Sequence, residues 1–392
     1  MISQDSKIII SVQFSPWSNY SGGAQRSTHN IAMTLSRRGY DVSVIYSKPW
    51  FDQVKTPDDL PYQIVWATYP GFNTKGRSFF RNFSPISVYW QLRKILHAHD
   101  KVIYHSNSEE GACVFLLKKE FKFAFLATVR DSNFPPRISK TNKTIFDISI
   151  IAIHHLRYFL QGLTARSANL VTTPSEWASQ FVADVYSLPI QKMHVVNNGV
   201  PSEFLNYSRD HDKAQDGPIV YFGRVAKEKG IETLLRAYAN IQNISNELLI
   251  IGDGQDLDYF KKRALELNIN QQCHFVGWKT HDELGELLTT AKMVCLPSLS
   301  ENYSLAVLSS MCVGVPTIAT RVGGNTEIIR SEEHGCIVAP QSESELENAI
   351  LKYLDGDMNV AVGIKASQYV RSNINWEKAA DQFLDLYELC QT

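Results

Sequence analysis

PSEFLNYSRDHDKAQDGPIVYFGR, residues 201–224, is the stretch that decides the fold. Residues 201–217 are polar and charged, follow neither a strand nor a helix period, and read as a connection between domains. At 219–222 the chain turns to Ile-Val-Tyr-Phe, a short apolar run suited to a buried strand. From there a strand–helix alternation starts afresh. Helical patterns at 230–242, 257–267, 282–290 and 305–312 alternate with apolar runs at 248–251, 273–276, 293–296 and 317–319. Thr280 and Glu283 form a capping box at one helix start.

The same alternation precedes the connection. Apolar runs at 8–12, 42–46, 102–105, 123–129, 170–173 and 195–196 read as strands, and 24–38, 88–97 and 148–165 as helices. In Thr173-Pro174-Ser175-Glu176, Thr173 is expected to cap a helix, with Pro174 in its first turn. Alternation of this type calls for parallel sheets covered by helices. Its interruption and restart argue for two Rossmann-like α/β domains, 1–200 and 218–374, rather than one closed barrel.

Composition agrees. The chain has 392 residues, 44% hydrophobic and 20% charged, enough for two cores. Its six cysteines are scattered without a CxxC pair, which speaks against a disulfide framework or zinc site and for a reducing compartment. The N-terminal run is expected to be a first strand rather than a signal peptide, and no apolar stretch is long enough to span a bilayer. A cytoplasmic protein is expected. The net charge of -1 hides an asymmetry: residues 1–200 hold 22 Lys and Arg against 13 Asp and Glu, the remainder 17 against 27. A basic first half suits phosphates or acidic lipid headgroups, and equally an attraction between the halves. No nucleic-acid partner is expected. The stretch 70–85 reads as an irregular loop, either an acceptor loop or a plain crossover.

Several loops carry candidate chemistry. Gly22 and Gly23 open a helix after the first strand, where the backbone comes close to a ligand and the helix end favours negative charge; a tight turn explains them equally well. Gly223, Arg224 and Lys229 follow the first strand of the second domain, where open α/β sheets bind ligands. Arg224 brings a planar fork for phosphate oxygens and Lys229 a compact charge, and both are expected to point into one crevice. Gly252-Asp253-Gly254 reads as a close-approach loop or a structural turn. Glu301 stands just ahead of a helix N-terminus, where its carboxylate accepts hydrogen bonds from sugar hydroxyls or complements the helix dipole. Gly323 and Gly324 open a further short helix, with Glu327 in it. Trp278 either stacks on a base or packs under its loop. His154 and His155 are given no role. The apolar run 148–153 is read as a buried helix, with contact to a membrane or lipid acceptor as the alternative.

The motifs GGAQRSTHNIAMTLSRRGYDVSVI, VTTPSEW, NNGV, YFGRVAKEKGIETLLRAY, LIIGDG, HFVGW, CLPSLSENYSLAVLSSMCVGVPTIAT and GGNTEII occur in that order over nearly the whole chain. Together they resemble the retaining family-4 glycosyltransferases of the GT-B fold. The resemblance implies two Rossmann-like domains facing across a cleft, the acceptor on the N-terminal side and the donor on the C-terminal side. It also implies a final helix within 375–392 that crosses back to the first domain. The activity implied is retaining transfer of a sugar from a UDP- or GDP-sugar to a glycan, lipid-linked or small-molecule acceptor, without cofactor or metal; the basic charge of the N-terminal half adds peripheral membrane contact as an expectation. By motif, Arg224 and Lys229 neutralise the departing diphosphate, and the backbone at Gly22 and Gly23 approaches the same phosphates. Glu301, the first glutamate of the family's E-x7-E, touches the donor sugar. Gly223, Gly254, Asn302, Tyr303, Ser304 and Leu305 complete the donor site. No protein nucleophile is required.

The chain departs from the family pattern at three places. Ser309 stands where the second glutamate grips the ribose, a loss of roughly 1.5–3 kcal/mol or about ten- to a hundredfold in donor affinity. Asn302-Tyr303-Ser304-Leu305 replaces Gly-Phe-Gly-Leu. Arg130-Asp131 replaces His-Asp, so that a cation able to bind an anionic sugar or phosphate stands in place of an imidazole. These departures motivate a non-catalytic nucleotide-sugar-binding subunit as the alternative, marked by binding without turnover. A sugar-nucleotide epimerase, needing no acceptor, is the third reading.

Overall fold

The structure, a computed structural model, describes residues 2, 5–18, 21–71, 82–130 and 145–391, with the backbone alone for 145–150. Asp131 and most of the 70–85 stretch lie outside these residues. The chain divides into two compact units, residues 1–197 with 376–392, and residues 198–375.

The first unit is a parallel sheet of seven strands among the described residues, in the order β3-β2-β1-β4-β5-β6-β7. The strands are β1 (Lys7–Gln13), β2 (Asp41–Pro49), β3 (Gln63–Tyr69), β4 (Val102–Asn107), β5 (Ala124–Thr128), β6 (Leu170–Thr173) and β7 (Met193–Val195). β1 is buried along its whole length, as an Ile-rich central strand covered on both faces must be. Successive side chains go to opposite cores. Ile8, Ile10 and Val12 meet α1 (Gly23–Arg37) and α12 (Trp376–Leu389), while Ile9 joins the core under α2 (Ser84–Ala98), α3 (Ile145–Ser167) and α4 (Glu176–Tyr186).

The chain therefore returns to this unit after finishing the other. Trp376, Ala380, Phe383 and Tyr387 of α12 are buried in the core shared with α1. Arg38 pairs with Glu377 at 2.5 Å and with Asp381 at 2.6 Å. His105 is buried with its Nδ1 2.7 Å from the Tyr387 hydroxyl and its Nε2 2.6 Å from Thr128 Oγ1. Burial, with the Arg130 cation adding to it, pushes the imidazole down to about 3, so it is neutral at physiological pH.

The second unit is a parallel sheet in the order β10-β9-β8-β11-β12-β13. Its strands are β8 (Ile219–Phe222), β9 (Leu248–Ile251), β10 (Cys273–Gly277), β11 (Met293–Leu296), β12 (Thr317–Thr320) and β13 (Cys336–Val338). The helices are α5 (Ile231–Asn240), α6 (Leu257–Glu266), α7 (His281–Thr289), α8 (Leu305–Val313), α9 (Asn325–Ile328), α10 (Glu343–Leu354) and α11 (Gly356–Asn373). α8 is mostly apolar and is buried from Val307 to Val313, where Ser309 and Ser310 donate to the carbonyls of Leu305 and Ala306 one turn back in the same helix. The Thr280–Glu283 capping box at α7 forms as the sequence predicts.

Four readings are corrected. Residues 201–217 are part of the second unit rather than a linker. Phe204 and Ala214 are buried there, and Arg209, almost fully buried, gives its donors to the Ala291 and Lys292 carbonyls at 3.0 and 2.8 Å. The polar composition hid these anchors, because an arginine bonded to backbone reads as surface. The cap of α4 is Ser175, not Thr173: Ser175 has extended backbone and its Oγ accepts from Ala178 N–H at 3.1 Å. β7 begins at Met193, ahead of the run at 195–196. β3 went unread because its Gln-Ile-Val-Trp-Ala-Thr-Tyr mixes faces at a sheet edge. In α3, Ile151 is buried and Ile153 half-buried, while the side chains of 148–150 lie outside the described residues.

Candidate functional site

In the second unit, four loops leave the carboxyl ends of parallel strands, the place where open α/β sheets bind ligands. They follow β8 (223–230), β9 (252–254), β11 (297–304) and β12 (321–324). Glycines let them touch backbone to backbone. Gly230 has φ +68°, and a Cβ there would lie 1.9 Å from the Pro297 carbonyl oxygen. Gly323 has φ +51°, and a Cβ would lie 1.6 Å from the Glu301 carbonyl oxygen. Only glycine fits either position. Hydrogen bonds tie the same loops, from Leu299 N–H to Glu228 O at 2.8 Å, Val225 N–H to Asp253 O at 2.9 Å and Gly324 N–H to Asn302 O at 2.9 Å.

This clasp brings Lys229 and Glu301 together. Lys229 Nζ is 2.5 Å from Glu301 Oε1, and the two side chains are only 22% and 17% exposed. Ser298 Oγ donates to the same carboxylate oxygen at 2.9 Å, and Thr320 Oγ1 donates to Ser298 O at 2.5 Å. Arg224 is placed differently. Its side chain is 59% exposed and pairs with Glu228 at 2.7 Å on its own loop. The Tyr221 hydroxyl donates to Arg224 O at 2.8 Å and so fixes the loop's start. Burial, and then the nearby Glu301 carboxylate, push that phenol far up. The two cations of this loop thus form separate ion pairs, one shielded and one at the surface.

Beyond Glu301 the chain enters α8. Asn302 is partly buried and gives its carbonyl to Gly324, and Tyr303 is buried. Ser304 is the N-cap, its Oγ accepting from Val307 N–H at 3.3 Å, so part of the helix end is satisfied internally. Leu305 is the first helical residue. Gly254 lies against the Val225 carbonyl, where a Cβ would sit at 2.1 Å, and Gly223 has φ +140°. Trp278 is 67% exposed and does not pack under its loop.

In the first unit, Gly22 is the N-cap of α1 and its N–H donates to Gln25 Oε1 at 2.9 Å; the first turn holds no acidic residue. Gly23 is the first helical residue. Arg130 follows β5, half-buried, and its Nε donates to Asn107 Oδ1 at 2.8 Å. Asn107 Nδ2 in turn donates to Ser11 O at 3.0 Å, so three strand ends fix this guanidinium. Asn107 was not singled out in the sequence, and Ser298 and Gly323 were read only as members of their loops, without the contacts they make to Glu301. The Ser298-x-x-Glu301 spacing on one strand-to-helix loop was the available signal.

Two family models divide the chain between them. Glycosyltransferase Family 4 matches residues 21–204, and Glycosyl transferases group 1 matches residues 205–375. The chain is a family-4 glycosyltransferase of the GT-B fold. An uncharacterised glycosyltransferase of Methanocaldococcus jannaschii is 24% identical over 391 residues, which cover 94% of each chain. Sucrose-phosphate synthase from Thermosynechococcus elongatus shares the fold, with TM-score 0.78, 21% identity and 98% of each chain covered. Anabaena HepE, solved in complex with UDP-glucose, superposes with TM-score 0.68 and 16% identity over 97% of this chain and 99% of that chain. This glycosyltransferase carries the family's departure at Ser309 inside α8. Ser309 is buried, and its hydroxyl donates to Leu305 O at 2.9 Å, a bond within its own helix.

Proposed function

We propose that this glycosyltransferase moves a sugar from a UDP- or GDP-linked donor to a glycan, lipid-linked or small-molecule acceptor, retaining the anomeric configuration and using no metal ion. The shielded Lys229–Glu301 pair carries the reading. A departing nucleoside diphosphate gains negative charge, and an ammonium held at a loop junction meets it without reorganisation. Arg224 supplies a second cation from the same loop. The Glu301 carboxylate, fixed by Ser298, accepts hydrogen bonds from donor-sugar hydroxyls. Charge on the reacting sugar is then managed by positioned groups and by the donor's own phosphate, which takes the acceptor proton. The UDP and UDP-glucose in the Anabaena HepE complexes support a nucleotide-sugar donor.

A thermal-shift screen of UDP, GDP and their sugars finds the donor, since a ligand of the folded state raises the midpoint. Proton NMR of the product then reads the anomeric coupling. An α-linked donor yielding an α-linked product is expected, with rates unchanged by EDTA. An inverted linkage, or donor binding without turnover on any acceptor class, would overturn the proposal.

A further inference from the structure

The first sheet has a ligand edge of its own. Its strand order reverses between β1 and β4, and open α/β sheets seat ligands at the carboxyl ends of the strands beside such a reversal. Asn107 ends β4 there, with the Arg130 guanidinium bonded to it. Trp50 stands farther out on the same edge. Ser47 of β2 is the partner of Gln13, the last residue of β1, and Trp50 follows Ser47 by three residues. At ~3.3 Å per residue it overhangs the end of β1 by roughly 10 Å, and at ~4.8 Å between strands it lies roughly 7 Å to the side of the β1–β4 gap.

Trp50 is 73% exposed, more than any other large apolar side chain among the described residues. A scattered surface tryptophan needs no explanation, but this one is bolted in place. Its backbone N–H donates to Tyr69 O at 3.1 Å, and its indole Nε1 donates to Gly71 O at 2.8 Å. Gly71 is wedged in turn, since a Cβ there would lie 3.0 Å from Pro49 and 3.2 Å from Phe51. Asp52, buried beside the turn, accepts from Ser18 Oγ at 2.9 Å and gives its carbonyl to Lys48 Nζ. The neighbouring Trp17 and Trp66 are each engaged, the one by His29 and Tyr46, the other by the Lys48 ammonium. Trp50 has its one side-chain donor committed and offers a flat apolar face at a fixed angle. Such a preset face loses little freedom on binding. In a glycosyltransferase the partner of that shape is the C–H face of a pyranose ring, whose hydroxyls stay at the rim and in water. An acceptor that reacts beside the β1–β4 gap reaches Trp50 only if it is longer than one ring. On the sugar-transfer reading of the molecule, we propose that Trp50 is an acceptor subsite remote from the reacting sugar, and that the acceptor is an oligosaccharide chain, free or lipid-linked, rather than a single small molecule.

Isothermal titration and saturation-transfer NMR with cellohexaose, maltohexaose and chitohexaose test this on the full chain, with no donor present. One of the hexaoses should bind at least about tenfold more tightly than its own monosaccharide, as a stacked ring warrants. Trp50→Ala should erase that gain, while Trp50→Phe, which keeps an aromatic face, should hold it within about threefold. Affinity for UDP or GDP should be the same in all three proteins. In turnover with the bound hexaose as acceptor, Trp50→Ala should raise KM and leave kcat unchanged, because a remote ring is held equally in the ground and transition states. Should Trp50→Ala unfold, Trp50→Leu, which keeps apolar bulk without an aromatic face, decides in its place. Failure of every hexaose to bind the wild type, or hexaose binding by Trp50→Ala equal to that of the wild type, overturns the proposal. So does a fall in kcat at unchanged KM, which would put Trp50 at the reacting ring. Wild-type protein that binds a hexaose through Trp50 but neither UDP nor GDP would overturn the donor reading instead and leave the subsite standing.

Discussion

Lys229 and Arg224 sit on one loop yet face different surroundings, and their substitutions should differ accordingly. Lys229→Ala removes a shielded ammonium and strands the Glu301 carboxylate beside Ser298. Nucleotide-diphosphate affinity should fall about ten- to a hundredfold, the equivalent of roughly 1.5–3 kcal/mol for a charge-assisted bond. Arg224→Ala, at a more exposed position, should cost less, about three- to tenfold. Isothermal titration with UDP and GDP measures both, and near-wild-type affinity in the two variants would remove this loop from the donor site. Ser309 tests the family departure from the other side. Its one hydroxyl proton is committed to Leu305 O, so Ser309→Ala should change donor affinity less than about twofold. A drop of tenfold would mean the hydroxyl does hold the ribose.

At the scale of elements, the loops matter more than the strands they extend. A methyl group at position 323 has no room against the Glu301 carbonyl, and its backbone is left-handed. Gly323→Ala should destabilise the second unit by about 1–3 kcal/mol, the usual cost of overpacking. It should also weaken donor binding, because the strand-to-helix loop carrying Glu301 must move. A variant with wild-type midpoint and donor affinity would show that the clasp is loose. How much of this was readable from residues follows the same division. The central strands were legible because Ile-rich runs such as 8–12 have no other place to go than a doubly covered sheet. Lys229 and Glu301 were legible as separate features of ordered motifs. Their pairing was not, since it depends on two loops 72 residues apart in sequence being pressed together by glycines. Edge strand β3 and the buried Arg209 escaped for a common reason: side chains satisfied by backbone or by one face alone look like surface.

At the scale of the molecule, a neutral histidine links the first sheet to the helix that closes it. His105 has a folded pKa of about 3 against about 6.5 when unfolded. The unfolded chain therefore binds the extra proton first. His105 stabilises fully above about pH 6.5, and its contribution falls as pH drops toward 3, by up to about 1.4 kcal/mol per pH unit. Urea unfolding of the wild type and His105→Gln at pH 7, 6 and 5 should show their stability difference steady near pH 7 and shrinking below 6. A difference that stays constant from pH 7 to 5 would contradict a buried neutral imidazole.

The helix bonded to that histidine also dictates a schedule. A ribosome reading this message finishes every residue of the second sheet before it reaches Trp376. Throughout that interval the nascent first sheet shows bare the face that Ala380, Phe383 and Tyr387 will later cover. The domain begun earliest is completed after its neighbour, and nascent-chain holding factors have that whole span of elongation in which to engage its uncovered side.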